Sequence, residues 1–195
     1  MPKIILASTS PYRKQLLERL AIPFICVPPE VDEDQYKAKN LPPKELAQIL
    51  AREKAQAVAK KYPDHIVIGS DQLAHLGEKI LNKPKVFETA LTQLQELNGK
   101  IHQLITAVCI LGPNNQIFEH IDITELKMKN LSLDQLHRYI KIDNPLDCAG
   151  SYKIEEHGIS LFESIISADS TAIMGLPLLA VGNILTKMNV QLLSN

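Results

Sequence analysis

Tryptophan is absent from this chain, and other aromatic residues are scarce, with five tyrosines and four phenylalanines among 195 residues. Charge of either sign is not in excess: 21 Lys and Arg stand against 22 Asp and Glu, a formal net charge of −1. An extended nucleic-acid surface normally carries a basic surplus, so these two absences argue against a nucleic-acid-binding module. A small basic pocket for a compact anion stays compatible with them. Cysteine is limited to Cys26, Cys109 and Cys148, odd in number and far apart. No CxxC pair occurs, so neither a zinc site nor a disulfide framework is signalled, and the three read as small buried hydrophobes. No apolar run approaches the roughly 18 residues needed to span a bilayer, so no membrane partner is expected. The start, Met1 to Ser8, has the look of a short signal sequence. Its apolar stretch is too short, however, and Arg13-Lys14 lies on the wrong side of it. A cytoplasmic protein is the expectation.

What is present is ordinary globular material, 45% apolar and 22% charged, enough for an independent core. Lys3 to Ala7 reads as a first strand and Phe24 to Val27 as a second. Between them, Ser10-Pro11 has the form of a helix start, Ser as N-cap and Pro at the first helical position, with Leu16, Leu17 and Leu20 inward. A long helix is expected from about Pro43 to Lys61. Ile66-Val67-Ile68 reads as a buried strand that breaks at Gly69-Ser70 and delivers Asp71 to its carboxyl end. Gly77 marks a short hairpin, and a helix follows over Phe87 to Leu97, stopped by Asn98-Gly99. Two long β segments flank Gly112-Pro113-Asn114-Asn115, a hairpin turn. Ser132 to Gln135 fits a capping box opening a helix to about Lys141, and a last helix is expected from Gly175 to Met188 with Pro177 in its first turn. Strands and helices interleave, which gives an α/β (or mixed α+β) class: one central, mixed, twisted sheet flanked by helices.

Four segments could carry chemistry. Open α/β sheets bind ligands beyond the carboxyl ends of their strands, where Asp71 is expected, and Asn82-Lys83-Pro84 adds a cation on a stiff turn. Ser8, Thr9, Ser10 and Arg13 surround a helix N-terminus, either an anion cradle or plain capping. The acidic loop Glu30 to Asp34 either supplies a carboxylate to a divalent cation or is solvated. Arg52-Glu53-Lys54 reads as surface charge on the long helix. In Cys148 to Gly158, Ser151 lacks the GxSxG elbow of a nucleophile, and His157 lacks a second ligand at metal spacing. No GxxxxGK[ST] loop occurs.

The order of these segments resembles the Maf family of nucleoside triphosphate pyrophosphatases. Leu6 to Arg13 is similar to its opening signature. Val31-Asp32-Glu33, Glu53-Lys54-Ala55, Gly69-Ser70-Asp71-Gln72, Asn82-Lys83-Pro84, Cys148 to Tyr152 and Gly175-Leu176-Pro177-Leu178 then follow in the family's order. The resemblance implies a Maf/ITPase-like fold, one domain over 1–195 that is either undivided or two-lobed with the active site in the cleft. It implies a divalent cation (Mg²⁺, Mn²⁺ or Co²⁺), a nucleoside triphosphate substrate and a homodimer. Asp71 matches the catalytic acid, Glu33 and Asp71 the metal site, and Ser8, Arg13, Lys54 and Lys83 the phosphate-binding positions. Asn82 stands where the family has glycine, and tolerance of positive φ by Asn should preserve that turn.

Three further positions resemble those separating the subtypes. The branch acting on dTTP and UTP usually has Arg, Thr and Gln where this chain has Tyr12, Gln72 and Glu155. The present set resembles the branch that hydrolyses 7-methyl-GTP, which usually carries Trp at position 12. Methylation at N7 makes guanine cationic, and an aromatic face attracts such a ring. A carboxylate at Glu155 could accept from guanine N1–H and the 2-amino group. The expected function is therefore hydrolysis of 7-methyl-GTP to 7-methyl-GMP and pyrophosphate. The alternatives are the same chemistry on dTTP, UTP or other nucleotides, and a regulatory role in septum formation.

Overall fold

Ile4 to Ala7 forms β1, every residue of it buried, and a strand without a polar face must sit inside a sheet covered on both sides. In the computed structural model, which describes residues 3–193, β1 pairs in parallel with β2 (Phe24–Cys26) on one side and β3 (Ile66–Leu76) on the other. Residues 1–2 and 194–195 of the expected domain lie outside the described residues. The remaining strands are β4 (Lys79–Leu81), β5 (Ile101–Gly112), β6 (Gln116–Met128) and β7 (Phe162–Ile166). They form one mixed seven-stranded sheet in the order β2-β1-β3-β5-β6-β7, with β4 paired to β3. The helices are α1 (Pro11–Glu18), α2 (Asp34–Lys37), α3 (Pro43–Ala59), α4 (Phe87–Leu97), α5 (Leu133–Asp143) and α6 (Leu178–Lys187). No helix among the described residues is long and apolar enough to cross a membrane.

The chain divides into two compact units. The first comprises Met1–Asp71, Thr106–Asp122 and Asp169–Asn195. Alternate side chains of a strand face opposite sides of a sheet. Ile4, Leu6, Ile66 and Ile68 accordingly join Leu16 and Leu17 of α1 and Val181 and Leu185 of α6 in one core cluster. The opposite face receives α3, whose Leu46, Ala47, Leu50, Ala51, Ala55 and Val58 are buried. Each Leu so buried contributes about 1.5–3 kcal/mol.

The second unit comprises Gln72–Ile105 and Ile123–Ala168. Gly77, at φ +59°, turns β3 into β4. Gly99, at φ +69°, ends α4, and Ser132 opens α5 with a complete capping box to Gln135. β7, for which no strand was expected, pairs antiparallel with β6, with an irregularity at Lys127/Met128. The hairpin turn between β5 and β6 is as expected, with Asn114 and Asn115 at φ near +60°.

Two expectations need correction. The last helix begins at Leu178, not Gly175, and Pro177 is its N-cap. Gly175 instead closes a 3₁₀ turn over Ala172–Met174 at φ +100°. More consequentially, β3 does not break at Gly69-Ser70 but runs on to Leu76. Gly69 is there for packing: a Cβ on it would meet the Ala51 carbonyl oxygen at 2.3 Å and the Ala55 nitrogen at 2.6 Å. The glycine admits α3 against the strand.

Candidate active site

Pairing between β1 and β3 ends at Ala7 and Gly69, so Asp71 still lies just beyond the carboxyl end of the parallel ladder although its strand continues. It is 5% exposed. Lys54, on α3, places Nζ 2.6 Å from Asp71 Oδ1 and 2.7 Å from Glu33 Oε1. The surface-charge expectation thus fails for Lys54, which is buried, and holds for Arg52, whose exposed guanidinium grips Glu119 at 2.8 and 2.9 Å. Glu33, immediately before α2, also accepts from Lys37 Nζ at 3.2 Å. Burial works against its ionised form, but the Lys54 and Lys37 ammoniums prevail and lower its pKa to about 2. At Asp71 the balance reverses: burial raises the pKa from its ordinary value against the pull of Lys54 and Arg13.

Arg13 stands on a capped helix start, and one carbonyl orients its side chain. Ser8 Oγ accepts from the Ser10 N–H at 3.1 Å, and Ser10 Oγ from the Arg13 N–H at 3.4 Å. The guanidinium Nε–H then donates to the Gly175 carbonyl at 2.9 Å. That carbonyl also lies 2.9 Å from Ser70 Oγ, as does the Ala107 carbonyl, so the β3 hydroxyl ties the Gly175 turn to the sheet. Burial lowers the Arg13 pKa, while Asp71 and Glu33 oppose the shift. A Cβ at Gly175 would stand 3.3 Å from Arg13 Nε, and φ +100° already excludes most side chains there. The turn is further held by Asp169 and Thr171. Thr171 donates through N–H and Oγ to Asp169 Oδ1 and accepts the Leu178 N–H, and Asp169 Oδ2 accepts the Leu179 N–H. Together they cap α6, whose own N-cap, Pro177, has no capping side chain.

In the second unit, Lys83 is exposed on a turn anchored from behind. Gln93 Nε2–H donates to the Asn82 carbonyl at 2.8 Å, and Gln93 Oε1 accepts from Ser151 Oγ at 2.5 Å. Ser151 is fully buried; it secures a neighbouring segment and is no exposed nucleophile. Asn82 does not use positive φ; Lys85 does, at +63°. Gln72 is half-buried and Glu155 exposed, both in this unit, while Tyr12 is half-buried on α1 in the first. Thus Ser8, Arg13, Glu33, Lys54 and Asp71 are described within one unit, and Gln72, Lys83 and Glu155 within the other. The sequence expectations overlooked Ser70, Gly175, Lys37 and Gln93. Two of these, Ser70 and Gly175, sit inside segments already singled out; Lys37 and Gln93 carry no sequence signal beyond helical spacing. The cysteines are free, and burial pushes the Cys109 and Cys148 thiols up to about 12, against a nucleophilic role.

The donor set suits a hard cation only in part. Among the described residues no three His, Cys, Asp or Glu side chains converge, which argues against an all-protein cage. Asp71 Oδ2, however, is buried without a hydrogen-bond partner, and a buried carboxylate oxygen of that kind is a costly vacancy unless something positive or protic meets it. Mg²⁺ is commonly held by one or two carboxylates plus substrate phosphates, a count that Glu33 and Asp71 meet.

A family model described as Maf-like protein matches residues 3–188. A protein of Bdellovibrio bacteriovorus named 7-methyl-GTP pyrophosphatase is 47% identical over 188 residues, covering 96% of this chain and 98% of its own. One of the same name from Xanthomonas axonopodis pv. citri is 44% identical over 192 residues, covering 98% and 100%. Among solved structures, the Ham1 protein of Staphylococcus aureus superposes with a TM-score of 0.52 at 13% identity, covering 93% of this chain and 98% of that one. That last likeness is one of fold.

Proposed function

The chain belongs to the Maf-like family, and from that premise we propose that it is a nucleotide pyrophosphatase converting 7-methyl-GTP to 7-methyl-GMP and pyrophosphate. The observation that carries the substrate is near-full-length identity of 44–47% to two proteins bearing that name. The Tyr12, Gln72 and Glu155 set supports it, with Tyr12 offering an aromatic face to the cationic ring and Glu155 an acceptor for the guanine edge.

Asp71 serves as the base. Water attacks the α-phosphorus, its oxygen bonding to phosphorus as the bridging bond to the β-phosphate breaks. Pyrophosphate leaves with the bond's electron pair, and the water proton passes to the Asp71 carboxylate. Lys54 fixes Oδ1 of that carboxylate and leaves Oδ2 for the water. Ser8, Arg13, Lys54 and Lys83 hold the phosphates, where fixed cations stabilise charge gathering on the leaving group. Glu33 and Asp71 would hold a divalent cation, Mg²⁺, Mn²⁺ or Co²⁺, which when bound neutralises phosphate charge and polarises the reacting oxygens. A homodimer accompanies this reading.

The test is pyrophosphate release from 7-methyl-GTP, GTP, dTTP and UTP, with each metal and with chelator, by wild type and Asp71→Asn. The expected outcome is metal-dependent preference for 7-methyl-GTP and a fall in kcat of about 10²–10⁴ in the variant. Preference for dTTP or UTP would overturn the substrate; full activity of Asp71→Asn would overturn the assignment of the base.

A further inference from the structure

Glu155 can select a base only if its carboxylate is presented in a fixed place, yet it is exposed, in a turn between two short 3₁₀ stretches, Ala149–Ser151 and His157–Leu161. Its turn is nevertheless fastened at both ends to a single helix. At the leading end, the Lys153 N–H donates to the Tyr139 hydroxyl oxygen at 2.9 Å. At the trailing end, His157 Nδ1 lies 2.6 Å from Asp143 Oδ1; a carboxylate only accepts, so the ring proton is on Nδ1. Between these points the chain closes on itself, with the Glu156 and Gly158 N–H groups both donating to the Lys153 carbonyl. Gly158 permits that closure, since a Cβ there would meet the Lys153 oxygen at 2.2 Å.

Tyr139 and Asp143 are four apart on α5, hence neighbours on one face, and both are buried in the stripe that includes Leu136 and Ile140. Helix stability does not account for Asp143. An acid in the last turn faces the negative end of the helix dipole, its side chain is only 1% exposed, and its Oδ2 is buried without a partner. Such an acid, placed against the Tyr139 hydroxyl and 2.6 Å from His157 Nδ1, is explained by the turn that these two contacts hold.

We infer that Tyr139 and Asp143 are positioning residues that clamp the turn from Lys153 to His157 and so set how sharply Glu155 discriminates between bases. The inference rests on the base-selecting role proposed for Glu155. It is tested by measuring kcat/KM for 7-methyl-GTP and for UTP in wild type, Glu155→Ala, His157→Ala and His157→Asn. His157 is exposed, so its variants should fold even where Asp143→Asn does not. The expected result is that His157→Ala lowers the 7-methyl-GTP over UTP ratio about three- to tenfold through KM, with kcat within about twofold. His157→Asn, which keeps a donor near the Nδ1 position, should recover much of the ratio. Equal losses on both substrates, or an unchanged ratio in His157→Ala while Glu155→Ala abolishes selectivity, would overturn the clamp and leave the role of Glu155 standing. An unchanged ratio in Glu155→Ala would overturn that role itself, and the clamp with it.

Discussion

Around Asp71, in the first unit, the buried polar side chains are ions held in mutual compensation: a lysine between two carboxylates, with Arg13 near enough for both to oppose the burial shift of its pKa. Around Gln93 and His102, in the second unit, they are neutral: an amide between a hydroxyl and a carbonyl, and an imidazole 2.9 Å from the Tyr152 hydroxyl. The first arrangement stores electrostatic potential and must be complete to be tolerated. The second stores only geometry. Under the proposed reading, reaction chemistry would draw on the former, since it must meet charge that changes; the turn that carries Lys83 needs only to be held still.

The most severe way to break this contrast is Lys54→Met. It leaves Asp71 and Glu33 facing each other without their shared cation and should cost about 3–5 kcal/mol in urea unfolding at neutral pH. Adding Asp71→Asn should return much of that loss, because the uncompensated charge is then gone; non-recovery would mean that Lys54 acts by packing.

Acid titration separates the two units by pH window, with effects next in size. Burial, reinforced by His75, lowers the His102 pKa to about 4, below its unfolded value of about 6.5. The unfolded chain therefore binds the proton first, so stability is full above 6.5 and is lost as pH falls towards 4, by roughly 3 kcal/mol in all. Glu33, at about 2, is an acid with a depressed pKa: its contribution is full above 4.5 and disappears as pH falls from there to 2. Stability against pH should therefore decline in two steps, and His102→Gln should erase the upper one only.

Gln93→Leu is the mildest break. It leaves the Ser151 hydroxyl and the Asn82 carbonyl without their partner, at about 1–3 kcal/mol. Because nothing in that network titrates, the loss should be constant between pH 5 and 9. A loss that varied with pH in this range would show the second unit's network to be less neutral than its side chains imply.

Legibility in the sequence followed the range of the interactions. Ser10-Pro11, the Ser132 capping box and the Gly112 to Asn115 turn are local devices, and all three stand where the residues put them. Gly69 was misread because the reason for its missing side chain lies on α3, far along the chain. Lys54 looked like surface charge because its two carboxylates arrive from a loop and a strand. Gln93 gave no sign of its role, being a mid-helix glutamine of the kind that normally faces water. The β7 segment, Phe162-Glu163-Ser164-Ile165-Ile166, has no regular alternation, and its pairing with β6 is itself irregular.

Gly69 also bears on how this site could change over time. With Ala51 and Ala55 opposite, it makes a seam where strand and helix meet with no side chain between them, and the 2.6 Å span from Lys54 to Asp71 depends on that closeness. Any heavier residue at 69 would wedge the two apart and lengthen the bond without touching either partner. The spacing of that ion pair is thus set through a position that has no functional group of its own.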